Sequence, residues 1–337
     1  MAARLGTPVL GVQGGGYPAA GSWQVSFGWR NQTSDKHFVG SEYQEERLED
    51  GTEVVNHLNL GDVSVRYQAT SRIELSLGVP YLMATRSQAI RNTNTQQIVE
   101  RYQTQARGVS DMIFAARRWM LDPEKHAGGN VMLGLGAKLP TGDNNVVDTF
   151  RVFSATPAPA GTITNAVRTV DQSIQPGDGG FGILADVSAF KSLASGRVSL
   201  YVSGAYLSNP GGKSGVQTYR GGRGEEVMSI ADQYSVRGGA AVAFPGISNL
   251  SFSAGVRWEG VPVRDLIGPS DGFRRPGEAV SIEPALSYVR GKNSISLGVP
   301  FAIYRNRPQS VPDIARGAHG DAAFADYLIL VGFSRRF

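Results

Sequence analysis

Four histidines stand in this chain, His37, His57, His126 and His319, and there is no cysteine. Without a thiolate, neither a cysteine nucleophile nor a thiolate metal site is available. No two histidines take the HExxH spacing that would place both rings and a carboxylate on one helix face, so a zinc hydrolase has no support. The stretch GGKSG at 211–215 echoes a phosphate-binding loop, but Leu207 stands where that loop needs its first glycine, and no helix pattern follows. A GxSxG nucleophile elbow is also missing. What remains for catalysis is His37, His57 and His319, in connecting stretches near Asp35, Glu53 and Asp321, the pairing that a hydrolase on a barrel rim would need. Solvated loop side chains account for them more simply. The chain is therefore expected not to be an enzyme, and to carry no cofactor and no metal.

A second set of polar residues is placed more regularly. Asp62, Arg66, Glu74, Lys138, Asp186, Arg237, Arg257, Glu259 and Glu283 lie in stretches where apolar residues recur at every second position. Period two is the repeat of a strand with two different faces. Charges on one face and large apolar groups on the other suit a strand between lipid and water. Asp62, Lys138, Asp186, Arg237, Arg257 and Glu283 each lie about seven to nine residues above one end of their strand, which places them in one broad belt at a strand tilt near 40°. Such a belt is either a mixed-charge filter that sorts solutes or an ion-pair network that fills a narrow barrel. Under both readings Arg237, Arg257, Glu259 and Glu283 should touch, because a lumen charge without a partner is costly.

The strands that position these groups run the length of the chain. WQVSFGWR sets Trp23, Val25, Phe27 and Trp29 against Gln24, Ser26, Gly28 and Arg30. DVSVRYQA and RIELSLGVPYLM repeat the alternation, and further strands are expected near 108–121, 130–140, 179–192, 197–208, 231–245, 249–260, 277–290, 293–305 and 323–337. That makes about twelve, each near the length that crosses a bilayer as a tilted strand. Helical spacing of apolar residues is rare, and no run of about 18 apolar residues offers a membrane-spanning helix. Connections alternate: short near 70–71, 122–129, 193–196, 245–248 and 291–293, and long near 32–61, 84–107, 141–178, 209–230, 261–276 and 306–322. Short turns on one rim and long loops on the other mark an outer-membrane barrel. The expected fold is an all-β, single transmembrane antiparallel β-barrel over 23–337, with short periplasmic turns and long extracellular loops. The Gly-rich stretch 1–22 precedes it as a tail or a small plug, the plug favoured by Tyr17 and Pro18.

The last strand, YLILVGFSRRF, closes such a barrel. An open edge cannot stand in lipid, so it should pair with the first strand, its odd positions facing lipid. Trp23, Trp29, Trp258, Tyr327 and Phe337 are the expected interface anchors. The terminal aromatic resembles the signal by which barrel insertion machinery recognises its clients. The remaining expected partners are outer-membrane lipid, lipopolysaccharide and a small-molecule solute. A net charge of +4 from well-mixed charges excludes a nucleic-acid stripe. Met1 to Gly16 is too weak for a signal peptide, so export to the bacterial outer membrane implies that a leader has been removed.

Pro284, inside AVSIEPALSY, deletes a ladder hydrogen bond in mid-strand. It marks either a β-bulge or a kink that opens an exit between strands. The loop 141–178 can fold inward and narrow the pore, or lie on the surface as a lid.

Several stretches, GSWQVSFGWR (21–30), GLGAKLPTGD (134–143), DQSIQPGDGGFGI (171–183) and the terminal strand, resemble a bacterial family of outer-membrane transporters named for the MetA pathway of phenol degradation. The resemblance implies passive passage of small, often aromatic or hydrophobic compounds. The expected function is thus an outer-membrane channel or facilitated-diffusion transporter. A structural or adhesive barrel with a plugged lumen is the main alternative, and a rim hydrolase the weaker one.

Overall fold

A computed structural model describes residues 17–92, 95–154, 162–193, 197–247 and 249–337. Twelve long strands close into one antiparallel barrel. They are β1 (Trp23–Val39), β2 (Val55–Gln68), β3 (Ile73–Arg91), β4 (Ile98–Val109 continued by Met112–Trp119), β5 (Gly129–Leu139), β6 (Gly182–Leu193), β7 (Val198–Ser208), β8 (Gln233–Ala243), β9 (Leu250–Val261), β10 (Gly277–Arg290), β11 (Asn293–Gly298 continued by Phe301–Asn306) and β12 (Ala322–Arg336). Each pairs with its chain neighbours, and β12 returns to β1 from Gln24↔Arg336 to Phe38↔Ala322. The C-terminal alternation thus ends in a seam, and no edge faces lipid.

The faces are inverted relative to a water-soluble barrel. Phe27, Leu77, Leu200, Leu297 and Phe333 are exposed on the outside, and Leu135 is 64 % exposed. Ser26, Ser253, Ser287, Ser296 and Ser334 are buried on the inside among charged side chains. Burying polar groups while exposing leucine is unfavourable in water, and becomes favourable when the outer solvent is hydrocarbon.

Two stretches expected as long loops are largely strand. β1 and β3 run on to Val39 and Arg91, so the first two extracellular connections shrink to 40–54 and 92–97. Their upper halves carry Gln, Thr, Asn and Arg on both faces and so lack the apolar alternation that marks the membrane band. The barrel is also strongly staggered. Starting at Gln24, near the lower end of β1, paired residues run through Arg66, Ser76, Ala115, Gly136, Leu184 and Leu207 to Gln233, the first residue of β8, at its upper end.

Pro284 makes no bulge against β9, and on its other side the β10–β11 ladder is interrupted opposite it and shifts register between Val280 and Ser281. The β9–β10 ladder passes through Ala254↔Pro284 without a shift. On the other side Ala285↔Gly298 and Ile282↔Phe301 keep one register, and Val299 N–H donates to the Pro284 carbonyl at 3.0 Å. Pro284 lies opposite the interruption of β11 at Val299–Pro300, so its missing donor falls where the ladder is already thin.

Loop 140–181 turns into the barrel. Its upper part forms a hairpin, Val147–Ser154 with Thr162–Thr169. Its returning limb, with a short 3-10 turn at Gln172–Ile174, descends into the lumen, where Val170 and Ile174 are fully buried against Leu60, Leu82, Ala84 and Ala106. The two limbs touch at Gly142 and Gly177, where a Cβ on Gly177 would lie 2.3 Å from the Gly142 carbonyl oxygen. Asp111, at the break in β4, accepts hydrogen bonds from Gly142 N–H at 2.9 Å and Asp178 N–H at 3.1 Å. One carboxylate therefore clamps both limbs.

Candidate functional site in the barrel lumen

The sequence-predicted charges separate into groups. Arg237, Arg257, Glu259 and Glu283 meet, as register on β8, β9 and β10 requires. Glu283 is shared by Arg257 at 2.9 Å and Arg237 at 3.4 Å, and Arg257 also reaches Glu259 at 2.9 Å. Arg30 joins them across the lumen, from β1 to Glu259 on β9, at 2.7 Å. A second group lies on the opposite wall, where Arg117 bonds Asp186 at 3.0 Å and lies 3.6 Å from Glu74. Lys138 sits elsewhere: one residue from the end of β5, it bonds Asp178 and lies 3.8 Å from Asp111, at the roots of the inward loop. Asp62 and Arg66, on the lumen face of β2, enter none of these groups. The single belt is thus broken up, because stagger and unequal strand lengths separate residues that count alike from the short turns.

Above the Arg257 network, between the wall and the inward loop, lies a cavity of about 300 Å³. Leu58, Leu60, Pro80, Ile113, Leu207 and Val261 give it apolar walls, and Arg86, Arg220 and Arg275 line it beside them. The three guanidiniums surround Asp171, the residue that caps the 3-10 turn. Arg275 grips Asp171 with two hydrogen bonds at 2.7 and 3.1 Å, Arg220 reaches one oxygen at 3.2 Å, Arg86 lies at 3.7 Å, and the Tyr219 hydroxyl donates at 3.0 Å. Burial pushes the Asp171 carboxyl up, but Arg275, Arg86 and Arg220 together outweigh it and hold the group well below the usual carboxylate range. Burial and the neighbouring Arg275 push Arg220 down.

Other ions along the cavity are closed pairs. Arg274 and Asp265 make two bonds at 2.7 and 2.6 Å. Asp321 is shared by His37 at 2.6 Å and Arg47 at 2.5 Å. Burial raises the Asp321 carboxyl, and His37 and Arg47 overcome this and depress it. His37 is fully engaged, since its second ring nitrogen accepts the Val54 N–H at 2.8 Å. His57 meets Thr33 on an exposed face, and His319 meets the Arg307 carbonyl. The three histidines of the rim-hydrolase reading therefore do not converge, and each meets a different partner, the Thr33 hydroxyl in the case of His57. No cluster of metal-binding side chains occurs among the described residues. Lys213 of the GGKSG stretch pairs with Asp271 in an extracellular loop.

Of the expected anchors, Trp23 packs on Tyr67 at the lower rim and Phe337 N–H donates to the Trp23 carbonyl. Trp258 packs on Tyr234 near the upper rim, and Tyr327 lies beside Phe301. Trp29 shares the outer face of β1.

Arg30 is legible as an inward position of WQVSFGWR, whereas Arg117 is not, because Arg117 and Arg118 stand side by side on opposite faces of their strand. Nothing in period or spacing singles out Asp171, Arg220 or Arg275, which meet only because three loops enter one lumen. The two motifs GLGAKLPTGD and DQSIQPGDGGFGI do meet there, through Lys138–Asp178 and Gly142–Gly177.

No family model matches the chain, and no curated protein matches it by sequence. Among solved structures it is similar to an outer-membrane channel from Pseudomonas putida F1, at 12 % identity and TM-score 0.58, over 97 % of this chain and 100 % of that one. That likeness concerns the fold. The translocator domain of the autotransporter NalP from Neisseria meningitidis (10 % identity, 95 % and 90 % covered, TM-score 0.46) and the P. putida toluene transporter TodX (11 %, 95 % and 91 %, 0.45) are more distant.

Proposed function

We propose that this chain is a passive outer-membrane channel for small, partly apolar solutes, in keeping with its resemblance to the phenol-degradation transporters. The observation that carries this reading is the cavity of about 300 Å³, whose walls combine Leu58, Leu60, Leu207 and Val261 with polar and charged groups inside an otherwise charged lumen. A lumen that is only packing filler has no reason to keep such a space beneath its longest loop. The strand-borne charges, Asp62, Arg66, Glu74, Lys138, Asp186, Arg237, Arg257, Glu259 and Glu283, act in this reading as the selectivity lining. Residues 1–16 of the N-terminal plug proposed over 1–22 lie outside the described residues. The described end of that segment supports a plug, since the Tyr17 ring packs edge-on to the lumen-facing Trp119 at 5.1 Å and its hydroxyl donates to the His126 carbonyl. Lipopolysaccharide outside and insertion machinery reading the C-terminal strand complete the set of partners.

One arrangement favours a second reading, a plugged structural barrel: the Arg30–Glu259 bridge crosses the lumen, and loop 140–181 enters it. Refolded protein in planar bilayers and liposomes separates the two. A channel gives single-channel current, and uptake of phenol-like aromatics over sugars, both altered when Arg257 and Glu283 are neutralised. A folded barrel silent in both assays overturns the channel reading.

A further inference from the structure

Charge is spread unevenly around the cavity. Lys138 faces two carboxylates, Arg274 is closed off by Asp265, and Arg47 and His37 share Asp321. At Asp171, three guanidiniums meet a single carboxylate whose side chain is 1 % exposed. Among these four groups positive charge exceeds negative by two, with Arg86 buried, Arg275 nearly so and close enough to Asp321 to feel its charge, and Arg220 27 % exposed, an arrangement that favours the approach of an anion.

The guanidiniums are not equally committed. Arg275 spends its planar edge on Asp171, Arg220 reaches one Asp171 oxygen, and Arg86 donates to Asn56 Oδ1 at 3.1 Å and stands 3.7 Å from Asp171. The Nε–H groups of both Arg86 and Arg220 are buried and donate to nothing among the described residues. The Arg220 Cζ lies over the Phe273 ring at 4.2 Å from its centre, a cation–π contact that helps to fix the guanidinium. Both line the cavity together with the apolar Leu58, Leu60 and Val261. An apolar cavity of about 150 Å³ accepts benzene, so this space suits one ring and a polar substituent.

Resting on the channel reading, we propose that Arg86, Arg220 and Arg275 bind a small organic carboxylate with an apolar body, and that Asp171 is a built-in competitor for the same guanidiniums. Asp171 is carried by the inward limb of loop 140–181. A solute carboxylate that displaces it loosens that limb, so solute binding and loop release favour each other, as linkage requires. An inorganic anion satisfies the arginines but leaves the apolar wall unused, which is why an organic acid is preferred.

The test uses the refolded full chain in detergent, titrated calorimetrically with benzoate, benzyl alcohol and inorganic phosphate. Wild type binds benzoate more tightly than benzyl alcohol or phosphate, by roughly tenfold or more, the worth of a charge-assisted hydrogen bond. Arg220→Gln loses roughly that factor for benzoate and leaves benzyl alcohol unchanged. Asp171→Asn, which removes the competitor, gains a similar factor. Equal affinity for benzoate and benzyl alcohol, or a benzoate affinity indifferent to Arg220→Gln, overturns the proposal, and phosphate binding as tight as benzoate overturns the organic class. If Asp171→Asn does not fold, the comparison of wild type with Arg220→Gln decides alone. Conductance of the same preparations in potassium chloride keeps the two readings apart. A conducting barrel with Arg220-independent benzoate binding refutes the site and keeps the channel, and a silent barrel with Arg220-dependent binding does the reverse.

Discussion

The lumen holds two arginine-rich clusters built in opposite ways. In the lower one, Arg30, Arg237 and Arg257 share Glu259 and Glu283, and all five side chains project from strands whose register is set by continuous ladders. In the upper one, Arg220, Arg275 and Asp171 come from three loops, and only Arg86 stands on a strand. Strand-borne charges cannot move without breaking the barrel wall, whereas loop-borne charges can exchange partners when a loop shifts. The first arrangement therefore suits a fixed wall, and the second a contact made to be broken.

The largest effect is expected at Glu283, which is 1 % exposed and holds two guanidiniums. Glu283→Gln leaves Arg237 and Arg257 competing for too little negative charge, and removing one partner of a buried pair costs about 3–5 kcal/mol. Urea unfolding of the barrel in lipid vesicles measures this. A loss below about 1 kcal/mol would mean that water already solvates the lower cluster, and the contrast between the clusters would dissolve. Next comes Arg30→Gln. Glu259 keeps Arg257, so the expected loss is roughly 1.5–3 kcal/mol, the range for a hydrogen bond to a charged group. The same variant removes the side chain that crosses the lumen and should raise single-channel current. Stability lost with current unchanged would place the constriction elsewhere.

The same contrast explains what could be read from sequence. Period two separated lipid-facing from lumen-facing residues on β8, β9 and β10, so Arg237, Arg257, Glu259 and Glu283 were placed on one face, and their register brings them together. Arg30 lay on the equivalent face of WQVSFGWR, but its partner is four strands away around the barrel, a distance that no local pattern encodes. Lys138 has the same height above a short turn as the belt residues, yet β5 ends one residue later, and the loop supplies its partner Asp178. The upper halves of β1, β3 and β4 passed for loops because above the membrane no apolar face is required. Asp171, Arg220 and Arg275 lie in stretches with no repeat, and their meeting depends on how far loop 140–181 descends.

Acid separates the clusters more gently. The folded Asp171 carboxyl titrates well below its ordinary value of 3.8. Its stabilisation is fully present above that value and is lost as pH falls through it towards the lower folded value. Between pH 7 and 5, wild type should exceed Asp171→Asn in unfolding midpoint by a constant margin, and below about pH 4 that margin should shrink. A margin that already narrows near pH 6 would show that the three arginines do not hold the carboxylate, and the upper cluster would lose its status as a latch.

The smallest effect belongs to an ion pair that resembles the others in distance alone. Lys213 and Asp271 lie 2.5 Å apart, closer than any pair in the lower cluster, yet their side chains are 47 % and 48 % exposed. In water the attraction is screened, and ordering two flexible side chains offsets what is left. Lys213→Ala should leave both unfolding midpoint and conductance where they were. A measurable loss there would mean that the extracellular loops are tied to the barrel's stability as tightly as its wall, and loop release by a solute would then have to work against the whole fold instead of one buried carboxylate.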